Sequence, residues 1–446
     1  MSGPPVVEPL TDRAPDAVLF QWRGRPITAA AFVHDAMLLA DTLPAAGPVV
    51  NLCRDRYAFA VGFAAALLRQ QVSLLTGDQS VKGLAELAAR FPGVIAVADD
   101  VAPGAIPLPV HTVRPSAIPP ARHSAMPGIP AGQPAAIVFT SGSTGAPVPH
   151  QKSWGALVAR SRAAAVAFGL DAAVPRSVVG TVPPHHMYGF ELTVLLPLHA
   201  PVTSWCDAAF FPGDVHAALS ALPAPRILVT TPLQIRALLH AGTGLPPLSA
   251  AISATAPLDP VLAAGAEARW QAPLLEIFGA TEVGSIASRR TLDGNAWTAY
   301  PGLVIRQDRD GTTVSAPWAE PMALADQIEP LDDNRFRLLG RRTDLVKLGG
   351  RRASLSGLNQ VLLALDGVAD GAFVVPDDLE VRANARLSAI VVAPCRSPRE
   401  ILADLRGRVD PLFLPRRVIC VDSLPRNALG KLPRHALLAL LAAAPP

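Results

Sequence analysis

The 446-residue chain has only four cysteines, four lysines and 5% aromatic residues, and no apolar run long enough to span a bilayer. Cys53, Cys206, Cys395 and Cys420 are far apart and form no Cys-x-x-Cys pair. That argues against a zinc site and against a secreted disulfide framework, and it favours the cytosol. The longest apolar stretch, Ala58 to Leu68, falls short of the ~20 residues of a membrane helix and reads as a buried helix. The amino terminus carries Glu8 and Asp12 among prolines, with no basic start and apolar core, so no signal peptide is expected. No basic cluster is interleaved with aromatics, which argues against a nucleic-acid surface. Net charge is only +3, yet from Arg341 onward 16 Lys and Arg face 10 Asp and Glu. Such a basic tail suits a coenzyme phosphate, an acidic carrier protein or plain solvation.

What is present is a globular composition. Half the residues are apolar, enough for two or three cores, and a large domain plus a small one is expected. The 46 prolines read as turn punctuation. Strand-like and helix-like segments alternate: Pro48 to Leu52 then a helix from Tyr57, Val72 to Leu75 then a helix from Val81, Gly93 to Val97, and Ala135 to Phe139. The pattern resumes at Ser177 to Val182, Arg226 to Thr230, Ala250 to Ala254 and Leu274 to Phe278. This predicts an α/β fold: a large amino-terminal domain, residues 1–340, of mixed sheets covered by helices, and a small mobile α+β domain, residues 341–446.

The densest chemical signal is Thr140-Ser141-Gly142-Ser143-Thr144-Gly145, six small residues behind the apolar run Ala135 to Phe139 and ahead of a helical spacing from Ser153. It reads as strand, loop, helix. Such a loop can aim N–H groups and hydroxyls at an anion, and its glycines permit close approach to phosphate oxygens. A Walker P-loop needs Gly-Lys-Ser/Thr after four residues. The nearby Lys152-Ser153 pair has Gln151 in place of that glycine and does not match. A flexible Ser/Gly linker is the plainer alternative for this segment alone.

Four further segments stand beside it: Pro183-Pro184-His185-His186-Met187-Tyr188-Gly189, Phe278-Gly279-Ala280-Thr281-Glu282-Val283-Gly284, Gly340-Arg341-Arg342-Thr343-Asp344-Leu345-Val346-Lys347, and Leu424-Pro425-Arg426-Asn427-Ala428-Leu429-Gly430-Lys431. In this order and spacing the five resemble the adenylate-forming (AMP-binding) superfamily of acyl-CoA synthetases, aryl acid ligases and peptide-synthetase adenylation domains. The short chain, with His185-His186-Met187-Tyr188-Gly189-Phe190 and Pro149-His150-Gln151-Lys152-Ser153-Trp154, is similar to the acyl carrier protein ligases of aryl polyene pigment pathways.

The resemblance implies roles. Thr140, Ser141, Gly142, Ser143, Thr144 and Gly145 cradle the phosphates of ATP. Thr281 contacts phosphate, Glu282 holds Mg²⁺, and the backbone of Phe278, Gly279 and Ala280 flanks adenine. Asp326 and Arg341 grip the ribose, although the family's Thr-Gly-Asp turn here reads Leu324-Ala325-Asp326. His186 gates the carboxylate site, with Gly189 to Leu198 and the Ser253 to Pro257 turn as candidate pocket walls. Lys431, carried by the small domain, neutralises charge in the transition state, and rotation of that domain about Thr343 then brings the Val346 to Arg352 loop in to shape the thiol channel. Two departures stand out: the lysine that commonly follows the loop's proline is Val148, and the hinge position is Thr343.

The implied activity is ATP- and Mg²⁺-dependent formation of an acyl-AMP from an aromatic or hydroxyaromatic acid, then transfer to the thiol of an acyl carrier protein or CoA. Three alternatives stay open: an amino-acid adenylating enzyme in which Glu191 meets a substrate amine, a catalytically silent nucleotide- or carrier-binding relative, and a luciferase-like oxygenase.

Overall fold

In the computed structural model, the described residues are 6–100, 104–116, 125–140, 148–171, 174–308, 311–341, 345–348, 351–376, 386–426 and 432–443. Contacts divide the chain into two compact units. One is Met1–Arg306 with Thr313–Ala323 and Leu331–Phe336; the other is Gln307–Thr312, Leu324–Pro330 and Arg337–Pro446.

The first unit is built on two large sheets. In one, the strands Val148–Ser153, Pro134–Thr140, Ser73–Leu75, Val49–Asn51, Ile95–Ala98 and Val110–Thr112 lie side by side in that order. All neighbours are parallel except the first pair, an antiparallel hairpin in which Val148 faces Thr140. In the other, Ala296–Ala299, Gly284–Arg290, Leu274–Ala280, Ala250–Ser253, Arg226–Thr230, Arg176–Gly180, Val202–Trp205, Val18–Trp22 and Arg25–Thr28 follow one another. The middle of this sheet is parallel, and antiparallel hairpins close it at Leu274–Arg290 and Val18–Thr28. Strands buried on both faces read as continuous apolar runs, which is why Arg226–Thr230 and Ala250–Ser253 stand out in the sequence.

The connecting helices start where capping chemistry says they should. Ser153 accepts a hydrogen bond from the Ala156 N–H and opens Trp154–Ala167. Thr231 and Asp259 cap Pro232–His240 and Pro260–Trp270, each with proline at the first helical position. The apolar helix Arg56–Leu68 is buried almost throughout. Its Phe59 and Phe63 meet Phe190 edge-on at centroid distances of 6.2 and 4.8 Å.

The second unit contains a sheet of Asp370–Val374, Ser388–Val392 and Arg417–Cys420, with the first pair antiparallel and the second parallel. The helices Leu355–Leu363, Pro398–Arg406 and Arg434–Ala443 accompany it. Ser397 and Glu400 form a capping box on the second helix. The mixed α/β character expected for both parts is observed.

Three local expectations change. The loop after Thr140 does not lead directly into a helix, because Val148–Ser153 first forms a strand antiparallel to Pro134–Thr140. That strand lies at the sheet's edge, where Pro149 is tolerated because its missing N–H interrupts no ladder on the open side. The Val346 to Arg352 stretch, read as a loop, contributes instead to a hairpin of Leu345–Leu348 and Arg351–Ser354. Phe190 to Leu198, read as pocket wall, is buried core: Phe190, Val194, Leu195 and Leu198 share one apolar cluster with the Arg56–Leu68 helix, which Phe190 meets directly.

Candidate active site

The Leu274–Ala280 strand carries Phe278, Gly279 and Ala280 to the carboxyl end of the parallel strands, where open α/β sheets place their ligands. Thr281, Glu282 and Val283 then form the turn, and Gly284 starts the returning strand. A bulge between Phe278 and Gly279 shifts the register as the hairpin tightens. A Cβ at Gly279 would stand 2.8 Å from the Gly284 carbonyl oxygen, so only glycine fits there. Phe278 is half-buried against Trp297 and Phe336, at 5.7 and 6.1 Å between ring centroids. Thr281 and Glu282 are partly exposed at the tip.

Behind this tip lies an unusual concentration of buried charge. Lys152 (8% exposed), on the neighbouring hairpin, donates from Nζ to the Glu282 carbonyl. Arg160 (7%), on the Trp154–Ala167 helix, donates to the Ser285 carbonyl at 2.6 Å and the Val283 carbonyl at 3.2 Å. Glu191 (1%) accepts from the Ser285 N–H at 3.3 Å and from the Ser285 hydroxyl. Burial pulls the Lys152 ammonium down to about 8, against the pull of Glu191. Burial also raises the Glu191 carboxyl above its ordinary range, while Arg160 and Ser285 draw it back.

The sequence motifs gave no warning of Arg160 or Ser285. The one signal for Arg160 is its place on the buried stripe of its own helix, between Leu157 and Ala164. Glu191, a candidate partner for a substrate amine, is instead bound to Ser285 in the interior.

His186 precedes the Met187–Phe190 helix at its N-cap position and is partly buried. Two residues on, the buried Tyr188 hydroxyl donates towards the Thr230 and Ile252 carbonyls at 3.1 and 2.7 Å, tying this segment to two neighbouring strand ends. At the end of the Ala250–Ser253 strand, Thr255 has φ +78°, a conformation costly for a β-branched residue. Neither Ser253 Oγ nor Thr255 Oγ1 has a hydrogen-bond partner among the described residues. Strain and unmatched hydroxyls together set this turn apart from the other strand ends of the sheet.

Thr140 ends its strand opposite Val148, the first residue of the next. Ser141, Gly142, Ser143, Thr144 and Gly145 themselves lie outside the described residues, as do Thr343 and Lys431. The structure thus brings the Thr140 hairpin and the Thr281–Glu282 turn together through Lys152. Asp326 begins the Asp326–Pro330 strand and Arg341 ends Arg335–Arg341, both in the second unit. Among the described residues no three His, Cys, Asp or Glu side chains gather as a metal cage.

Residues 14–311 match the model of the AMP-binding enzyme family, and residues 358–431 match that of the AMP-binding enzyme C-terminal domain. The chain belongs to the AMP-binding enzyme family. Within it, the 4-coumarate–CoA ligase of Halorhodospira halophila is 32% identical over 311 residues, which cover 66% of this chain and 73% of the relative. A probable 2-succinylbenzoate–CoA ligase of Mycobacterium tuberculosis is 27% identical over 335 residues, covering 68% and 84%. The solved o-succinylbenzoate coenzyme A synthetase of Bacillus subtilis, in complex with ATP and magnesium ion, superposes with a TM-score of 0.80. At 17% identity it covers 95% of this chain and 96% of its own, which establishes a shared fold. With these family members the chain is an adenylate-forming acid–thiol ligase. No helix among the described residues is long and apolar enough to cross a membrane.

Proposed function

We propose that this enzyme activates an aromatic or hydroxyaromatic acid as its acyl-AMP and passes the acyl group to the pantetheine thiol of an acyl carrier protein or of CoA. The observation that carries the reading is the 281–283 turn. The Glu282 side chain is left partly exposed at the sheet's carboxyl edge, while the carbonyls of residues 282, 283 and 285 are bound from behind by buried cations. A carboxylate presented on a backbone held this way suits a metal–nucleotide complex.

In the first step a substrate carboxylate oxygen attacks the α-phosphorus of ATP, the bond to the β-phosphate oxygen breaks, and pyrophosphate leaves. Thr140 and the Ser141 to Gly145 segment hold the phosphates, Thr281 donates to the α-phosphate, and the Phe278 to Ala280 backbone borders adenine. Asp326 and Arg341 orient the ribose. Glu282 would hold Mg²⁺, which would screen the phosphate charge. Lys431, from the small domain of residues 341–446, neutralises the oxyanion that develops at phosphorus. In the second step the thiol sulfur attacks the acyl carbon, the carbon–oxygen bond to AMP breaks, and rotation of the small domain about Thr343 exchanges one set of residues for another. His186 stands at the carboxylate end of the acid pocket, with the strained Thr255 turn as a further wall.

The aromatic class rests on the 4-coumarate and succinylbenzoate ligases among the relatives. The amino-acid alternative is disfavoured by Glu191, the carboxylate it needs, which is occupied by Ser285. Pyrophosphate release with MgATP across benzoic, cinnamic, fatty and amino acids tests the reading, with Lys431→Ala alongside. Release with an aryl acid, lost in the variant, is the expected result. Release with amino acids alone, or with no acid at all, would overturn it. Thioester formation with CoA or a carrier protein then separates the acceptors.

A further inference from the structure

We propose that Lys152, Arg160 and Glu191 form a buried clamp that positions the Thr281–Glu282 turn, so that Lys152 serves this enzyme as a positioning residue and not as a ligand of the ATP phosphates. The inference rests on the metal–nucleotide reading of that turn given above.

Three side chains from three elements converge on one short segment of backbone. Lys152 comes from the edge strand Val148–Ser153, Arg160 from the Trp154–Ala167 helix, and Glu191 from the π-helical turn Glu191–Leu195. Between them they take the carbonyls of residues 282, 283 and 285 and the N–H and hydroxyl of Ser285. The backbone at Gly284 is shaped to admit the carboxylate: its φ is +95°, and a Cβ there would stand 2.5 Å from Glu191 Oε1. The fit between glycine and carboxylate is a second, independent sign that the cluster was built around this turn.

Charge supports the assignment. Two cations and one carboxylate are withdrawn from water, at a desolvation cost that makes such a group a poor device for stability alone. It leaves one formal positive charge beneath a turn whose tip carries Glu282. Lys152 cannot both occupy the Glu282 carbonyl from the interior and reach outward to phosphate. The position after the loop's proline, occupied by Val148, has therefore not simply been replaced by Lys152.

The test uses the full chain with Lys152→Met, Lys152→Arg and Arg160→Lys. Removing Lys152 leaves Arg160 and Glu191 as a neutral pair, so Lys152→Met is expected to fold. Arg160→Lys, which keeps the charge but loses the fork across two carbonyls, provides a second route. Amide hydrogen exchange of residues 279–286, measured without nucleotide, reads the clamp directly. Mn²⁺ binding in the presence of α,β-methylene ATP, followed by electron paramagnetic resonance, reads its consequence. We expect at least tenfold faster exchange in Lys152→Met, confined to this segment, at least fivefold weaker Mn²⁺ binding, and recovery of most of both in Lys152→Arg. Unchanged exchange overturns the clamp. Faster exchange with unchanged Mn²⁺ binding overturns its role in the site. Weaker nucleotide binding with unchanged exchange makes Lys152 a phosphate ligand and also overturns it. Neither readout needs an acid substrate, so a wild-type enzyme that releases no pyrophosphate would defeat the proposed reaction while these measurements still decide the clamp.

Discussion

Gly284→Ala is the sharpest perturbation this structure offers, because a matched control separates its two costs. Residue 284 has φ +95°, and residue 169, after the Trp154–Ala167 helix, has φ +61° with nothing within 4 Å of a built Cβ. Alanine at 169 therefore meets only the penalty of left-handed backbone, about 1–2 kcal/mol. Alanine at 284 meets that penalty and also places its methyl 2.5 Å from Glu191 Oε1, where ordinary contact begins near 3.4 Å. The carboxylate must retreat by most of an ångström, which stretches bonds from the Ser285 N–H that are already 3.3 Å long. Loss of one buried hydrogen bond to a charged group costs about 1.5–3 kcal/mol. Gly284→Ala should therefore exceed Gly169→Ala by about 2 kcal/mol, seen as a lower urea midpoint of the first unit by tryptophan fluorescence. It should also lower pyrophosphate release per folded molecule, whereas Gly169→Ala should not. Equal destabilisation of the two variants, within about 0.5 kcal/mol, would refute the claim that Glu191 is packed against this turn.

His199 gives a pH prediction. Burial beside Trp154, at 5.6 Å between rings, lowers its imidazole from 6.5 to about 4. Its neutral form is favoured in the fold, so the unfolded chain takes up the proton first as pH falls through 6.5. Stability is lost from there down towards pH 4, by about 2 kcal/mol between pH 7 and pH 5. His199→Phe should flatten that part of the curve relative to wild type, and parallel curves would contradict the assignment. Arg56→Met should cost about 3 kcal/mol by denaturant titration. It strands the Gly180 and Val182 carbonyls, which the buried guanidinium binds at 3.1 and 3.0 Å; a loss below about 1 kcal/mol would show that they find other partners. In the second unit, Arg426 holds Asp370 through two bonds of 2.7 and 2.6 Å, five residues before Lys431. Asp370→Asn should slow adenylation about tenfold with little change in KM for the acid, corresponding to about 1.4 kcal/mol of transition-state positioning; an unchanged kcat would disconnect this pair from the lysine.

The legible parts of the molecule were those governed by local rules. Apolar runs such as Arg226 to Thr230 and the helical spacing that starts at Ser153 announce strands and helix starts, because short-range sterics and hydrogen bonding fix them. The Phe278 to Gly284 motif was legible because its glycine meets a backbone constraint that shows in the residue type itself. The strand Val148–Ser153 was missed because an edge strand needs few apolar residues and tolerates Pro149. Glu191 was ambiguous for a different reason. A carboxylate after Phe190 looks like a ligand for an amine, and only the arrival of Ser285, 94 residues later, shows what it binds.

That distance has a consequence for where specificity and positioning reside. Residues that touch substrate must stand at exposed loop ends, so their types are constrained by chemistry and recur as short motifs. Residues that hold those loops in place need only reach the right carbonyl from any element that passes behind it. Lys152, Arg160 and Glu191 come from a strand, a helix and a π-helical turn, and no fixed spacing links them. Their burial also makes them mutually dependent. Removing Glu191 alone would leave two cations in the interior with no carboxylate between them, whereas removing Lys152 leaves a balanced pair. Substitution at the three positions should therefore be non-additive: Lys152→Met with Glu191→Gln should destabilise the first unit less than the sum of the two single changes, by more than 0.5 kcal/mol. Strict additivity in that double-mutant cycle would mean that the three side chains act on the turn separately, and the buried charge would need another explanation.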